Sequence, residues 1–126
     1  MTKNLTKYLF STLLLALLSF SSFAEEKKCT AAIDSSSFNQ IAKKLNDHDF
    51  EDAKKAELIE TLTKNCFSSI QVNALIELLE FEEDKIAVAK AGHTRVIDPE
   101  NYDLVFDVFE FESSKKEVMD YIASNK

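Results

Sequence analysis

An apolar pattern at positions i, i+3, i+4 and i+7 occurs three times along the chain, and it constrains the fold more than any other feature. The three copies are Phe38, Ile41, Ala42, Leu45; Val72, Leu75, Ile76, Leu79; and Tyr102, Val105, Phe106, Phe109. This spacing places four side chains on one face of a helix. The copies start 34 and then 30 residues apart, which is typical of a helical repeat. The pattern therefore predicts helices that bury their apolar faces against one another.

A further phenylalanine follows each copy, at Phe50, Phe81 and Phe111, with spacings of 31 and 30 residues. Acidic residues come directly after each one, as in the first turn of a helix, where they face unpaired amide groups. The repeating unit is thus a helix, a short turn carrying Phe, and a second helix. We expect these phenylalanines to fill the space between consecutive hairpins, so that Phe81→Ala costs roughly 3 to 5 kcal/mol.

Local capping signals support the same division. Ser68 with Gln71 forms a predicted capping box, Asp98-Pro99 reads as an N-cap and first helical position, and Ser114 with Glu117 is a third start signal. The predicted helices span residues 36–46, 51–65, 69–80, 82–92, 99–109 and 114–124. With one Gly, one Pro and no alternating apolar pattern, a sheet is not expected. The sequence predicts an all-α domain of three stacked hairpins, with the third helix at its centre.

The first 24 residues have the features of a secretory signal. Lys3 and Lys7 precede an apolar run that is too short to span a membrane, and the run ends at Ser22-Phe23-Ala24. We expect cleavage between Ala24 and Glu25. An uncleaved membrane anchor is the alternative. The predicted organisation is a signal peptide at 1–24, a lead-in at 25–34 and a helical domain at 35–126, in a protein exported to the periplasm or the extracellular medium.

Charge limits the classes of partner. Removing Lys3 and Lys7 from the 15 basic residues leaves 13 against 22 acidic ones, a net charge of −9. An acidic surface repels nucleic-acid phosphates and anionic lipids, so neither is an expected partner, and no membrane span remains after cleavage.

Two cysteines, Cys29 and Cys66, occur in the chain. An even number of cysteines in a small exported domain favours a disulfide, here one that ties the lead-in to the end of the second helix. Free thiols are the alternative, but a nucleophilic cysteine would need an activating base.

Metal and catalytic motifs are incomplete. Asp47, Asp49 and Glu51 have the first spacings of a calcium loop, but Asp52 replaces its glycine and Leu58 its final glutamate. Asp47 and Asp49 are better interpreted as turn and N-cap residues. His48 and His93 lie in separate turns, without a second ligand at helical spacing, and are interpreted as solvated loop residues. No metal or cofactor is therefore expected.

An acidic cluster could in principle raise the pKa of one carboxyl group for acid catalysis. Its members are Glu77, Glu80, Glu82, Glu83 and Asp84. Such clusters are more often solvated helix faces. Because no serine lies in a nucleophile elbow and one glycine cannot form a phosphate loop, we predict a protein without catalytic residues.

Several short motifs together resemble the bacterial domain of unknown function 4476. They are Asn65-Cys66 with Gln71-Val72; Leu79-Glu80-Phe81-Glu82 with Asp84-Lys85; Ala89-Lys90; Asp98-Pro99-Glu100-Asn101-Tyr102 with Val105; Phe109-Glu110-Phe111 with Ser113-Ser114; and Tyr121-Ile122. Residues 38–56 are similar more loosely, and Gly92-His93 departs from the pattern, which favours an aromatic there. The resemblance implies an exported helical domain with no established activity, so it assigns no functional residues.

The function that this architecture favours is a non-catalytic protein- or peptide-interaction module of the cell envelope. In that case apolar residues outside the core, such as Val96, Ile97 or Leu104, should form an exposed patch. A small-ligand carrier with a cavity between hairpins is the alternative, followed by a hydrolase that uses the clustered carboxylates.

Overall fold

The computed structural model describes residues 28–126, and the predicted signal peptide with its Ala24–Glu25 cleavage site lies outside them. The elements in chain order are α1 (Ser35–Asn46), α2 (Glu51–Lys64), α3 (Ser69–Ile76), α4 (Glu82–Gly92), a short 3₁₀ turn (His93–Arg95), a long 3₁₀ helix (Pro99–Val108) and α5 (Glu112–Ser124). The predicted all-α fold is confirmed. Three hairpins follow one another: α1 with α2, α3 with α4, and the long 3₁₀ helix with α5.

The hairpins stack in two layers. In one layer α2 packs on α4 and α4 packs on α5, while in the other α3 packs along the long 3₁₀ helix. The core between the layers is formed by side chains that are almost completely buried: Leu45, Leu58, Leu62, Phe67, Val72, Leu75, Ile76, Val88, Val105 and Val118. The central position predicted for the third helix agrees with the complete burial of Val72, Leu75 and Ile76.

Two helices differ most from the prediction. The third ends at Ile76 rather than residue 80, and the fifth is a 3₁₀ helix rather than an α-helix. A 3₁₀ helix has about three residues per turn, so positions three apart line one face. Tyr102, Val105 and Val108 have that spacing and are all buried. The sequence pattern had instead paired Val105 with Phe106, which is only partly buried.

Capping is partly as predicted. Ser68 and Gln71 form the expected capping box at the start of α3. Asp98 and Pro99 hold the predicted N-cap and first helical positions, but the Asp98 side chain does not bond to its own helix: its Oδ1 accepts hydrogen bonds from the Ser69 amide at 2.7 Å and the Ser69 hydroxyl at 3.0 Å. Ser114 is not an N-cap either, because α5 begins two residues earlier and Phe111 occupies the N-cap position.

The N-terminal segment is fastened to the helices. A disulfide joins Cys29 to Cys66, as predicted. The Ile33 amide donates to the Cys66 carbonyl at 2.9 Å, and the Gln71 side chain donates to the Ile33 carbonyl. Beside it, Phe67 and Val96 form an isolated parallel β-bridge. None of the helices within residues 28–126 has the length and apolarity needed to cross a membrane.

Candidate interaction surface

A short motif recurs at the start of α2, α4 and α5. Each of these helices is preceded by an acidic residue and Phe, then begins with Glu and has Lys at its fourth position. The three copies are Phe50-Glu51 with Lys54, Phe81-Glu82 with Lys85, and Phe111-Glu112 with Lys115. The sequence prediction noted the Phe and the acids but missed the lysine, although its fixed spacing from Phe was visible.

The three phenylalanines do not fill the space between hairpins, so this part of the prediction is wrong. Phe50, Phe81 and Phe111 are exposed by 76%, 59% and 58%, and each occupies the extended N-cap position of its helix. The space they were expected to fill is taken by other apolar residues, including the fully buried Phe67. These exposed aromatic side chains form what we call the phenylalanine stripe.

The glutamates of the motif connect successive turns. Glu51 accepts a hydrogen bond from the Glu80 amide at 2.5 Å. Glu82 accepts from the amides of Glu110 at 3.1 Å and Phe111 at 3.2 Å. Each carboxylate thus binds backbone amides just before the second helix of the following hairpin, where amides lack helical partners. The bonds hold neighbouring turns of the stripe side by side.

The lysines of the motif also connect successive turns, here by donating to backbone carbonyls. Lys54 Nζ donates to the Leu78 carbonyl at 3.1 Å, and Lys85 Nζ donates to the Val108 carbonyl at 3.3 Å. Both acceptors lie three residues before the next phenylalanine. In the third motif, Lys115 pairs with Glu112 at 2.8 Å.

Two motif lysines also pair with the glutamate of their own motif, Lys54 with Glu51 at 3.7 Å and Lys115 with Glu112, so they do not neutralise the other acids around the stripe. Five exposed carboxylates border the stripe and have no ion-pair partner among residues 28–126: Asp49, Asp52, Glu80, Glu83 and Glu110. The surface thus combines exposed aromatic rings with negative charge.

Hydrogen bonding lowers the pKa of two carboxyl groups that hold hairpins together. Burial disfavours the charged form of Glu82, but hydrogen bonds from the Ser114 side chain and the Phe111 and Glu110 amides outweigh it, so the pKa lies below its ordinary value. Burial likewise opposes ionisation of Asp98, and donors on Ser69 and Asn101 lower its pKa overall.

The incomplete calcium motif does not form a site. Asp47 pairs with Lys43 at 3.0 Å, Asp49 is exposed, and Glu51 is directed to the Glu80 amide. Asp49 is also not the N-cap of α2, which is Phe50. Within the described part of the chain, no three His, Cys, Asp or Glu side chains converge as a metal-binding group.

The two histidines are in structural contacts rather than solvated loops. His48 and Lys44 both bind Glu57, which joins α1 to α2. Hydrogen bonds from Lys44 and then His48 lower the pKa of Glu57. His93 bonds the Lys90 carbonyl through Nδ1 and packs edge-on against Tyr102 and Tyr121.

The acidic cluster considered for catalysis is dispersed in the structure. Glu82 binds the Glu110 and Phe111 amides, while Asp84 is buried and paired with Lys55 at 2.8 Å. Glu77, Glu80 and Glu83 are exposed to solvent. These carboxylates therefore do not converge on a common pocket.

The cavities between elements are shallow. One of about 490 Å³ between α1 and α2 is bordered by charged residues, including Lys44, Glu57 and Lys64. A smaller, more apolar one of about 260 Å³ lies beside Pro99, Tyr102 and Ile122. The Tyr102 hydroxyl is not free to act there, because it donates to the Ala89 carbonyl at 2.6 Å and burial raises its pKa.

The family described as Domain of unknown function (DUF4476) matches residues 32–122, which is most of the chain. The chain belongs to this family. The matched range contains the whole phenylalanine stripe and Cys66, whereas Cys29 precedes it. Searches of curated proteins and of solved structures find no match. The DUF4476 match supports the resemblance seen in the short motifs and carries no activity with it.

The apolar patch expected at Val96, Ile97 and Leu104 is only partly present. Val96 is buried by its bridge to Phe67, whereas Ile97 and Leu104 are exposed by about two fifths. The phenylalanine stripe is more exposed than these two aliphatic side chains. The apolar periodicity did not reveal the exposure of the stripe, because periodicity locates residues that face the core.

Proposed function

We propose that this DUF4476 protein is an exported, non-catalytic interaction module, and that the phenylalanine stripe is the surface through which it binds another protein. The observation that carries the proposal is the exposure of three phenylalanines at equivalent positions of three stacked hairpins. Exposed apolar surface of this kind costs solubility and is typical of interaction sites. Aromatic side chains are also enriched among residues that dominate binding energy.

The surrounding hydrogen bonds support a preformed surface. Bonds made by Glu51, Glu82, Lys54 and Lys85 fix the turns that carry Phe81 and Phe111, so the backbone there does not need to become ordered when a partner binds. Binding to a preorganised surface avoids part of the entropic cost of association.

The proposed location rests on the disulfide and the signal-like first 24 residues. Disulfides persist in oxidising compartments, which include the periplasm and the extracellular medium. The Cys29–Cys66 bond fastens the lead-in to the end of α2 and would be unstable in a reducing cytosol.

A photo-crosslinking experiment tests the interaction function. The photoreactive residue p-benzoylphenylalanine replaces Phe50, Phe81 or Phe111 in separate variants, and Ile70 in a control. Ile70 is a matched control because it has the same 59% exposure as Phe81 but lies at the opposite end of its hairpin. The variants are expressed in the source cells, irradiated and purified, and captured proteins are identified by mass spectrometry.

Support requires that all three stripe positions capture one and the same protein, that Ile70 does not, and that the purified partner binds less tightly to Phe81→Ala. Equal capture from Ile70, or capture from none of the stripe positions, would overturn the proposal.

A small-ligand carrier is the second candidate, favoured by the apolar cavity beside Tyr102 and Ile122. Native mass spectrometry of the protein purified from its source tests it directly. A bound small molecule that is lost on Ile122→Asp would support a carrier, and a mass equal to that of the bare chain would count against it.

A further inference from the structure

We infer that the partner of the phenylalanine stripe is a basic amphipathic helix whose apolar side chains recur every seventh residue. This inference rests on the proposed function and adds the chemistry of the partner. It is drawn from the charges that border the stripe and from the spacing of the hairpins that carry it.

The net charge beside the stripe depends on which groups are already neutralised. Lys54 and Lys115 pair with the glutamates of their own motifs, and Lys85 is bound to a backbone carbonyl, while five carboxylates beside the rings have no ion-pair partner among the described residues. Three helix N-termini contribute about half a positive charge each, or roughly 1.5 in all, which five carboxylates exceed. A partner with Lys or Arg beside its apolar residues therefore complements this surface, and an acidic partner is repelled.

The spacing of the phenylalanines follows from the packing of α2 on α4 and of α4 on α5. Axes of packed helices are about 8 to 10 Å apart, so neighbouring rings should be separated by about 10 Å. A partner helix rises about 1.5 Å per residue, and every seventh residue then advances about 10 Å on the same face. Apolar residues in heptad positions can therefore reach all three phenylalanines at once.

A β-strand fits the same spacing less well. A strand rises about 3.3 Å per residue, so a step of about 10 Å corresponds to three residues. Successive side chains of a strand point in opposite directions, and every third residue alternates between faces. A β-strand would present at most every second anchor to the stripe, which favours the helix over a strand.

Synthetic peptides test the inference on the isolated mature protein with its disulfide intact. The probe is a helical peptide of about 21 residues, or roughly 30 Å, with Leu at one heptad position and Lys on both flanks of that face. A second peptide has Glu in place of Lys, and a third has the composition of the first with its leucines distributed around the helix. Binding is measured by fluorescence anisotropy at low and moderate salt.

The expected result is that the first peptide binds at least about tenfold more tightly than either control, since truncation or misplacement of central anchors usually has effects of this size. Raising the salt should weaken binding, because the attraction involves exposed charges. Phe81→Ala and the double variant Glu80→Gln/Glu83→Gln should each weaken binding, whereas Ile70→Ala should not.

Other results would overturn the inference. Equal binding of the basic and acidic peptides would show that the partner need not be basic. If the peptide with redistributed leucines binds as tightly as the first, the partner need not have heptad spacing. Self-association that Phe81→Ala abolishes would identify a second copy as the occupant, and tighter binding of a synthetic 1–27 segment would identify the chain's own N-terminus.

The two proposals can fail separately. If the crosslinking experiment captures one protein through all three phenylalanines while none of the peptides binds, the interaction function stands and the partner chemistry is wrong. If neither experiment gives a signal, the proposed function itself is overturned.

Discussion

The carboxylate of Glu82 accepts a hydrogen bond from the backbone amide of Phe111, 29 residues further along the chain, at 3.2 Å. This bond connects the second hairpin to the turn of the third, and Glu51 makes the equivalent connection one hairpin earlier. Glu82 thus binds the backbone of a turn whose aromatic side chain, Phe111, remains exposed. The contact explains how the rings are positioned without being part of the core.

Replacing a stripe phenylalanine should have little effect on stability. Phe81 is 59% exposed, so we expect Phe81→Ala to lower the free energy of unfolding by less than about 1 kcal/mol, whereas Phe67→Ala in the core should cost about 3 to 5 kcal/mol. Urea denaturation of the two variants measures both values. Similar losses for both would show that Phe81 packs in the core after all.

Glu82→Gln should destabilise the protein more than Glu112→Gln. Glu82 accepts bonds from two amides, and loss of the charge should weaken them by about 1 to 2 kcal/mol, since bonds to charged groups are the stronger ones. Glu112 is the matched control because it holds the same position in the motif, yet is 87% exposed at the end of the series. Denaturation midpoints that shift equally would refute the distinction.

Stability should fall at acidic pH through Glu82 and Asp98. Both have a pKa below the ordinary values of 4.5 and 3.8, so the unfolded chain binds these protons at a higher pH than the folded one. The stabilising contribution is complete above those ordinary values and is lost as the pH falls towards the lower folded pKa values. The free energy of unfolding, measured against pH, should have a shallower acid slope in Glu82→Gln, and an unchanged slope there would contradict the assignment.

Removing the disulfide should destabilise the fold. Cys29 and Cys66 are 37 residues apart, and closing a loop of that size is worth roughly 4 kcal/mol in the chain-entropy treatment. We expect the Cys29→Ser/Cys66→Ser variant to unfold at lower guanidinium concentration than the native protein. Reductant should destabilise the native protein and leave the variant unaffected, and if neither change has an effect, the bond does not contribute to stability.

Gly92→Ala should be destabilising although alanine favours helices. A methyl group at Gly92 would lie 2.9 Å from Tyr102 Oη and 3.2 Å from Val72 Cγ1. The Tyr102 hydroxyl is held by its bond to the Ala89 carbonyl, so overpacking should cost about 1 to 3 kcal/mol. The cost should be smaller in a Tyr102→Phe background, which removes the clashing atom; purely additive effects in this double-mutant cycle would exclude the steric explanation.

Most of the fold was predictable because it depends on local signals. The apolar pattern located the hairpins, Ser68 and Gln71 marked the start of α3, and two cysteines allowed a single internal pairing. The long 3₁₀ helix was assigned wrongly because Tyr102, Val105 and Phe106 fit an α-helical pattern, whereas Tyr102, Val105 and Val108 fit a 3₁₀ pattern equally well. Packing against α3 decides between them.

The candidate site was harder to predict because its contacts join residues about 30 positions apart. A sequence pattern shows that Phe50, Phe81 and Phe111 are equivalent, but it does not show which side of each turn faces the core. Asp98 provides a second case: it holds the predicted N-cap position of its own helix, yet its side chain binds Ser69 in another hairpin.

The amino-acid sequence by itself therefore determined the helical class, the repeat and the disulfide pairing, since these follow from periodicity, composition and the number of cysteines. The direction of the phenylalanine side chains was decided only by the tertiary structure. Glu51 and Glu82 bind the backbone of the neighbouring turns, and Phe67 with its neighbours already fills the core. Because the close-packed interior has no room for three further rings, they remain at the surface.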